Sequence, residues 1–162
     1  MTSLANAGVS IPENIDFLAV DFAHEILADK LFTARLDEAK PVFVSCLGVT
    51  PYLRCETLLE TLRTLAGWHG GAEIALTFIE ADRSHLDADA REGMDDAEAY
   101  ALASGERWLS KYGPDDFTEL LTQAGFGNVE HFSIERATDH YFKDRADGLK
   151  PAGGIGLVLA RT

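Results

Sequence analysis

Short apolar runs alternate along this chain with segments repeating at helical spacing, and that alternation constrains the fold more than any other feature. Residues 15–20 hold Ile15, Phe17, Leu18, Ala19 and Val20 and end at Asp21, which predicts a buried strand. Residues 24–36 place Ile26, Leu27, Leu31 and Leu36 at near-helical spacing, and Pro41 stops any continuation. The run PVFVSCL at 41–47 predicts a second buried strand, ended by Gly48. Over 54–65, Leu58, Leu59, Leu62 and Leu65 share one helix face, closed by Gly67, Gly70 and Gly71. EIALTFI at 73–79 is a third strand. Residues 115–124 predict a helix with Pro114 near its first turn and Gly125 as its cap. NVEHFSI at 128–134 alternates like a strand with one wet face, and 137–149 is an irregular polar connection. Pro151, Gly153 and Gly154 then turn the chain into a last strand, 155–160.

Strand–helix–strand–helix–strand at these spacings is the signature of βαβ units. Near-continuous apolar runs imply strands covered on both faces, hence a parallel sheet with right-handed crossovers. The fold class is α/β, a doubly wound, mostly parallel sheet, with the last two strands an antiparallel pair at one edge. The 162 residues predict a single domain, 1–162, that buries roughly 70% of its unfolded surface without a disulfide or metal staple.

Charge narrows the partners. Fourteen Lys and Arg stand against 27 Asp and Glu, a formal net charge of −13. Such a field repels phosphate backbones and anionic membrane surfaces, so a small molecule or a protein is the expected partner, with no nucleic acid and no membrane. Residues 80–98 concentrate eight acidic residues against two basic ones and predict a solvated, partly helical excursion over the domain. The longest apolar stretches are far too short to cross a bilayer. The first ten residues lack the basic and apolar regions of a secretory signal, and two cysteines, Cys46 and Cys55, suit a reducing cytoplasm.

In open α/β sheets, ligands bind beyond the carboxyl ends of the strands. Two such ends stand out: Asp21 with Phe22, and Ser45 to Thr50 around Gly48. Asp21 either accepts a hydrogen bond from a ligand amine or hydroxyl, with Phe22 as an apolar wall, or caps the following helix. Gly48 either admits a ligand close to the backbone or lets the chain turn. The five histidines show no spacing that sets two metal ligands on one helix face, so no metal site is expected. Cys46 reads as a small core residue, and Cys55 starts a helix with no histidine near it in sequence. Ser45 is outside any GxSxG elbow. The Gly153–Gly154 cluster precedes a strand rather than opening a helix, which makes it a turn, not a dinucleotide loop. Trp108, Tyr112 and Tyr141 either line a pocket or belong to the core. No catalytic dyad is legible.

Several segments together resemble the S-adenosylmethionine-dependent class I methyltransferases, and among them the leucine carboxyl methyltransferase-like O-methyltransferases. They are FVSCLGVTPYL at 43–53, ETLLETLRTLA at 56–66, AEIALTFI at 72–79, NIDFLAVDF at 14–22, residues 105–132 and YFKDRADGL at 141–149. The resemblance implies a seven-stranded sheet of order 3-2-1-4-5-7-6, with this chain corresponding to strands 3 to 7. It implies S-adenosyl-L-methionine as methyl donor and an oxygen, carboxylate or hydroxyl, of a small molecule as acceptor. Residue by residue, Asp21 meets the adenine amine with Phe22 beside the ring, and Ser45, Cys46 and Leu47 line the methionine end. Tyr52 and Trp108 face the substrate, and the acidic segment 80–107 forms a lid over it. Many relatives carry an acidic residue where Ser45 stands.

The family's glycine-rich loop and the acidic residue ending its second strand would precede the segment that begins here. Losing strands 1 and 2 leaves the edge at 42–47 unpaired, an aggregation or pairing hazard. The strand at 15–20 is therefore expected beside it, or two chains pair through it as a homodimer. The alternative to a methyltransferase is accordingly a non-catalytic truncated remnant, or an interaction module completed by a partner chain or a second copy.

Overall fold

The computed structural model describes residues 4, 6–22, 24–34, 36–151 and 153–162, with Phe32 by its backbone alone. The chain divides into two compact units, Met1–Leu36 and Asp37–Thr162.

The first unit contains helix α1, Leu27–Thr33. The predicted helix over 24–36 is shortened to this span. At its end the Thr33 hydroxyl donates to the Lys30 carbonyl, a bond that competes with the helical ladder. The predicted strand at 15–20 is not formed, and Ile15, Phe17 and Leu18 are all exposed. A strand needs a hydrogen-bonded neighbour for its backbone groups, and an apolar run does not supply one. No strand of the four-stranded sheet comes from this segment.

The second unit is built on that sheet, in the order β1-β2-β4-β3. Its strands are β1 (Val42–Cys46), β2 (Ala72–Ile79), β3 (Asn128–His131) and β4 (Ile155–Arg161). β1 and β2 are parallel, from Val42 opposite Ala72 to Cys46 opposite Leu76. The expected antiparallel edge pair is present as β3 and β4, and β4 also runs antiparallel to β2. One pairing is thus parallel and two are antiparallel, because the polar connection 137–149 brings the chain back without a crossover helix.

Helices α2 (Cys55–Ala66) and α4 (Pro114–Ala124) bury Leu58, Leu62 and Leu65 and Phe117, Leu120, Leu121 and Ala124. These join Ile74, Leu76 and Phe78 of β2 and Val158 and Ala160 of β4 in the core. Fully burying such a side chain contributes about 1.5–3 kcal/mol. Phe78 stacks on Phe117 with ring centroids 4.4 Å apart. α4 ends on Gly125 at φ 112°, the left-handed cap predicted from its sequence.

The acidic excursion forms α3, Ala88–Ala103, whose N-cap Asp87 accepts from the Ala90 N–H. It buries only Met94 and Ala101. Met94 joins Ile79 and Leu86 in a small second cluster, with Ala90 and Trp108 packed against it. Gly153 and Gly154 pass directly beneath: a Cβ on them would lie 2.6 Å from Leu86 Cδ2 and 2.8 Å from Met94 Cγ. The strand predicted over 128–134 ends at His131, and the short helix α5 (Ile134–Ala137), capped by Ser133, follows it; the connection read as irregular, 137–149, contains a π-turn, Thr138–Phe142. Among the described residues no helix is long and apolar enough to cross a membrane.

Candidate functional site

Because β1, β2 and β3 run one way and β4 the other, four stretches meet at one end of the sheet: the exits of β1, β2 and β3 and the entry to β4. Beyond β1 the chain turns at Gly48, at φ 69°, where a Cβ would meet nothing within 4 Å. The Gly48 N–H donates to Thr77 Oγ1 at 2.8 Å, and Thr50 Oγ1 donates to the Thr77 carbonyl at 2.7 Å. Ser110 Oγ donates in turn to the Thr50 carbonyl at 2.9 Å. Thr50, 1% exposed, thus fixes the 3₁₀ turn Thr50–Tyr52 that leads into α2.

Of the residues singled out from sequence in this unit, Ser45 is exposed on β1, and its hydroxyl makes no hydrogen bond to any described residue. Leu47 is exposed, as is Tyr52 at the end of its turn. Cys46 is half-buried, and burial pushes its thiol pKa up, which keeps it protonated and unreactive. Trp108 packs on the Ile79–Leu86–Met94 cluster, with the Arg83 guanidinium 5.7 Å from its ring centre. Arg83 pairs with Asp95 at 2.8 Å and Glu98 at 3.0 Å, and Lys111 binds Glu98 at 2.6 Å. These bonds tie α3 to the segments after β2 and before α4. The Tyr112 phenol is buried beside Ser110 and Cys55 without hydrogen-bond geometry to any described residue, and burial raises its pKa.

In the first unit, the Asp21 carboxylate lies 2.9 Å from His24 Nδ1, and its backbone N–H donates to Glu25 Oε2 at 2.8 Å. α1 begins at Leu27, so Asp21 is outside its first turn. Phe22 is half-buried.

Two residues that the sequence did not single out stand at the exit of β2. Glu80 has its backbone pinned: its N–H donates to the Gly154 carbonyl, and flanking bonds join Ala81 to Tyr112 and Tyr112 to Ile79. Its Oε2 is sequestered, 3.0 Å from His85 Nε2 but off the line of the ring N–H. His85 lies on the wall of a cavity of about 590 Å³. One wall is His85, Leu86 and the first turn of α3; the other runs from Ile134 through Phe142 to Leu149, with Gly153 between them. Glu and His five residues apart in a loop leave no periodic mark, so spacing rules for helices passed over them. Neither Tyr52 nor Trp108 lines this cavity.

Known proteins supply the context for this geometry. A profile of the leucine carboxyl methyltransferase family matches residues 1–66. Over 158 residues the chain is 27% identical to YktD of Bacillus subtilis (strain 168), which carries the name of an S-adenosyl-L-methionine-dependent methyltransferase. That alignment covers 97% of this chain and 51% of YktD, so the chain spans about half the length of the curated relative it matches. Human N-acetylserotonin methyltransferase, solved in complex with SAM, superposes with a TM-score of 0.53 at 16% identity, over 98% of this chain and 36% of its own. The methyltransferase SibL in its apo form gives 0.52 at 15% identity, over 98% and 38%. At these identities the likeness is one of fold, and the fold is that of class I methyltransferases.

Proposed function

We propose that this chain, which fits a leucine carboxyl methyltransferase-like methyltransferase, takes part in S-adenosyl-L-methionine-dependent transfer of a methyl group to an oxygen of a small molecule. The observation that carries the reading is the cavity of about 590 Å³ at the carboxyl-terminal end of the sheet, within the size range of small-molecule sites. A net charge of −13 supports a small acceptor over a nucleic acid, and the cysteine content supports a cytoplasmic setting.

The exit of β1 fits the amino-acid end of such a donor: an exposed Ser45 hydroxyl, an exposed Leu47 and a glycine turn open to close approach. In this reading Ser45, Cys46 and Leu47 hold the methionine end, and in the first unit Asp21 accepts from the adenine amine with Phe22 against the ring. The donor, when bound, supplies an electrophilic methyl group on a sulfonium sulfur. The chain's own contribution is placement of the acceptor in line with that methyl, which on its own removes a large part of the barrier. The segment 80–107, anchored through Arg83 and Lys111, serves as the lid that excludes water. Trp108 and Tyr52 act on the acceptor through this lid and the turn before α2.

Calorimetric titration of S-adenosylhomocysteine tests the reading. Micromolar binding that Asp21→Ala abolishes is expected; no binding at millimolar ligand overturns it. A second reading, an interaction module completed by another copy, is favoured by β1, which forms the sheet edge with Phe43 62% exposed. A dimer that Phe43→Lys dissolves, in a protein that binds no S-adenosylhomocysteine, is its expected signature in sedimentation.

A further inference from the structure

We propose that His85, oriented by Glu80, is the general base that accepts the proton of an acceptor hydroxyl in the 590 Å³ cavity. The proposal rests on the methyltransferase reading and goes beyond it, because it chooses between two kinds of oxygen. A carboxylate is already an anion at neutral pH and needs no base. A phenol, with an ordinary pKa near 10, does.

The geometry is that of a base and its orienter. The Glu80 side chain is only 18% exposed, its Oε2 is shielded, and its close neighbour is the imidazole. Its backbone is fixed at the exit of β2, so the carboxylate is presented to the ring from a set position. His85 is 54% exposed and stands on the cavity wall. A small rotation of the ring brings Nε2–H onto the carboxylate, the kind of tightening that catalytic contacts undergo when a substrate arrives. That bond fixes the tautomer and leaves the Nδ1 lone pair for the acceptor. Phe142 and Leu149 give the opposite wall an apolar surface suited to an aromatic ring.

The charged groups facing His85 are Glu80 beneath it, Asp82 in its own loop, Asp87 at the start of α3, and Lys143, Asp144, Arg145 and Lys150 across the cavity. In the step, the acceptor oxygen forms a bond to the methyl carbon as the carbon–sulfur bond breaks. The breaking pair stays on sulfur, which becomes a neutral thioether. The hydroxyl proton passes to Nδ1 of His85 and then to water.

The experiment uses 4-nitrophenol as probe, with and without S-adenosylhomocysteine, on the full chain and on His85→Gln, Glu80→Gln and Lys143→Gln. Expected is phenolate absorption from bound probe at a pH where free probe is protonated, lost in His85→Gln, weakened in Glu80→Gln and kept in Lys143→Gln. Transfer of labelled methyl to the probe should fall 10²-fold or more in His85→Gln near neutrality and recover as pH rises. Absorption that survives His85→Gln and vanishes in Lys143→Gln overturns the proposal, as does unchanged transfer in His85→Gln. With S-adenosylhomocysteine bound, probe that stays protonated also overturns it while the methyltransferase reading stands. Phenolate formed at His85 in a protein that binds no S-adenosylhomocysteine overturns the methyltransferase reading instead.

Discussion

β1 and β2 are written in the same apolar language, PVFVSCL and EIALTFI, and lie side by side in parallel register, yet they live in different surroundings. Alternate residues of β2 are buried along its whole length, and Phe78 is 1% exposed. Along β1 half-buried and exposed residues alternate, with Phe43 on the outer face. The difference is in the neighbours. β2 has a strand on each side and the α2–α4 layer on its face, whereas β1 forms the edge of the sheet. An apolar run says that a strand can be buried, and its partners decide on how many sides it is.

The most severe test is truncation of one phenylalanine in each strand. Phe78→Ala removes a ring stacked on Phe117 in a closed core and should cost about 3–5 kcal/mol. Phe43→Ala, on the exposed face of β1, should stay within about 0.5 kcal/mol. Urea denaturation of both variants checks this; equal costs would break the comparison.

A methyl group added to β4 probes the same asymmetry from the other side. A Cβ on Gly156 would lie 2.3 Å from Phe78 Cζ, so Gly156→Ala must displace the ring and should cost about 1–3 kcal/mol. The effect should shrink when Phe78 is already alanine, a coupling that a double-mutant cycle reads directly. Additive costs would show that the ring is not what fills that space.

A gentler change acts where the two strands are joined. Thr50→Val keeps the shape but loses the hydroxyl bond to the Thr77 carbonyl, which should cost about 0.5–1.5 kcal/mol by thermal melting. Because the same turn carries Gly48, the loss should also loosen the exit of β1, visible as faster exchange of the Gly48 amide.

What the sequence made legible follows from the same physics. The leucines at 58, 62 and 65 repeat at the helical period, and α2 buries those three. Pro114 and Gly125 bracket α4 because one lacks the N–H that the first turn wastes and the other accepts a left-handed φ. The run at 15–20 was as apolar as β1 and formed no strand, since pairing is a non-local property that no run of six residues states. The α5 helix hid within one turn of chain, too short for a period to show. Asp21, Ser45 and Leu47 were singled out through their place at the ends of apolar runs and through family likeness. Glu80 and His85 stand in a loop whose start is held by a contact distant in sequence, the Glu80 N–H donating to the Gly154 carbonyl where β4 returns beside β2, and no local pattern states such a contact.

The smallest expected effect concerns acid, and it separates the two strands by what lies over their exits. Glu98 on α3 has its carboxyl pKa held below the usual carboxylate range, first by the Lys111 ammonium and then by Arg83. A depressed folded-state pKa means that, in mild acid, the unfolded chain binds more protons than the folded one. The contribution is therefore complete above the unfolded value near 4.3 and is lost as pH falls through the lower, folded one. Glu98 is about a third exposed, so solvent screening keeps the gain below about 1 kcal/mol, less in high salt. Glu98→Gln should flatten the acid limb of stability against pH without changing it at neutrality by more than that amount. Because Lys111 and Arg83 flank the segments joined through Ile79, Ala81 and Tyr112, acid should first expose the amides of Ala81 and Tyr112 to exchange. The amides paired between β1 and β2 should hold to lower pH, and simultaneous opening of both sets would show that α3 steadies the whole sheet rather than the exit of β2.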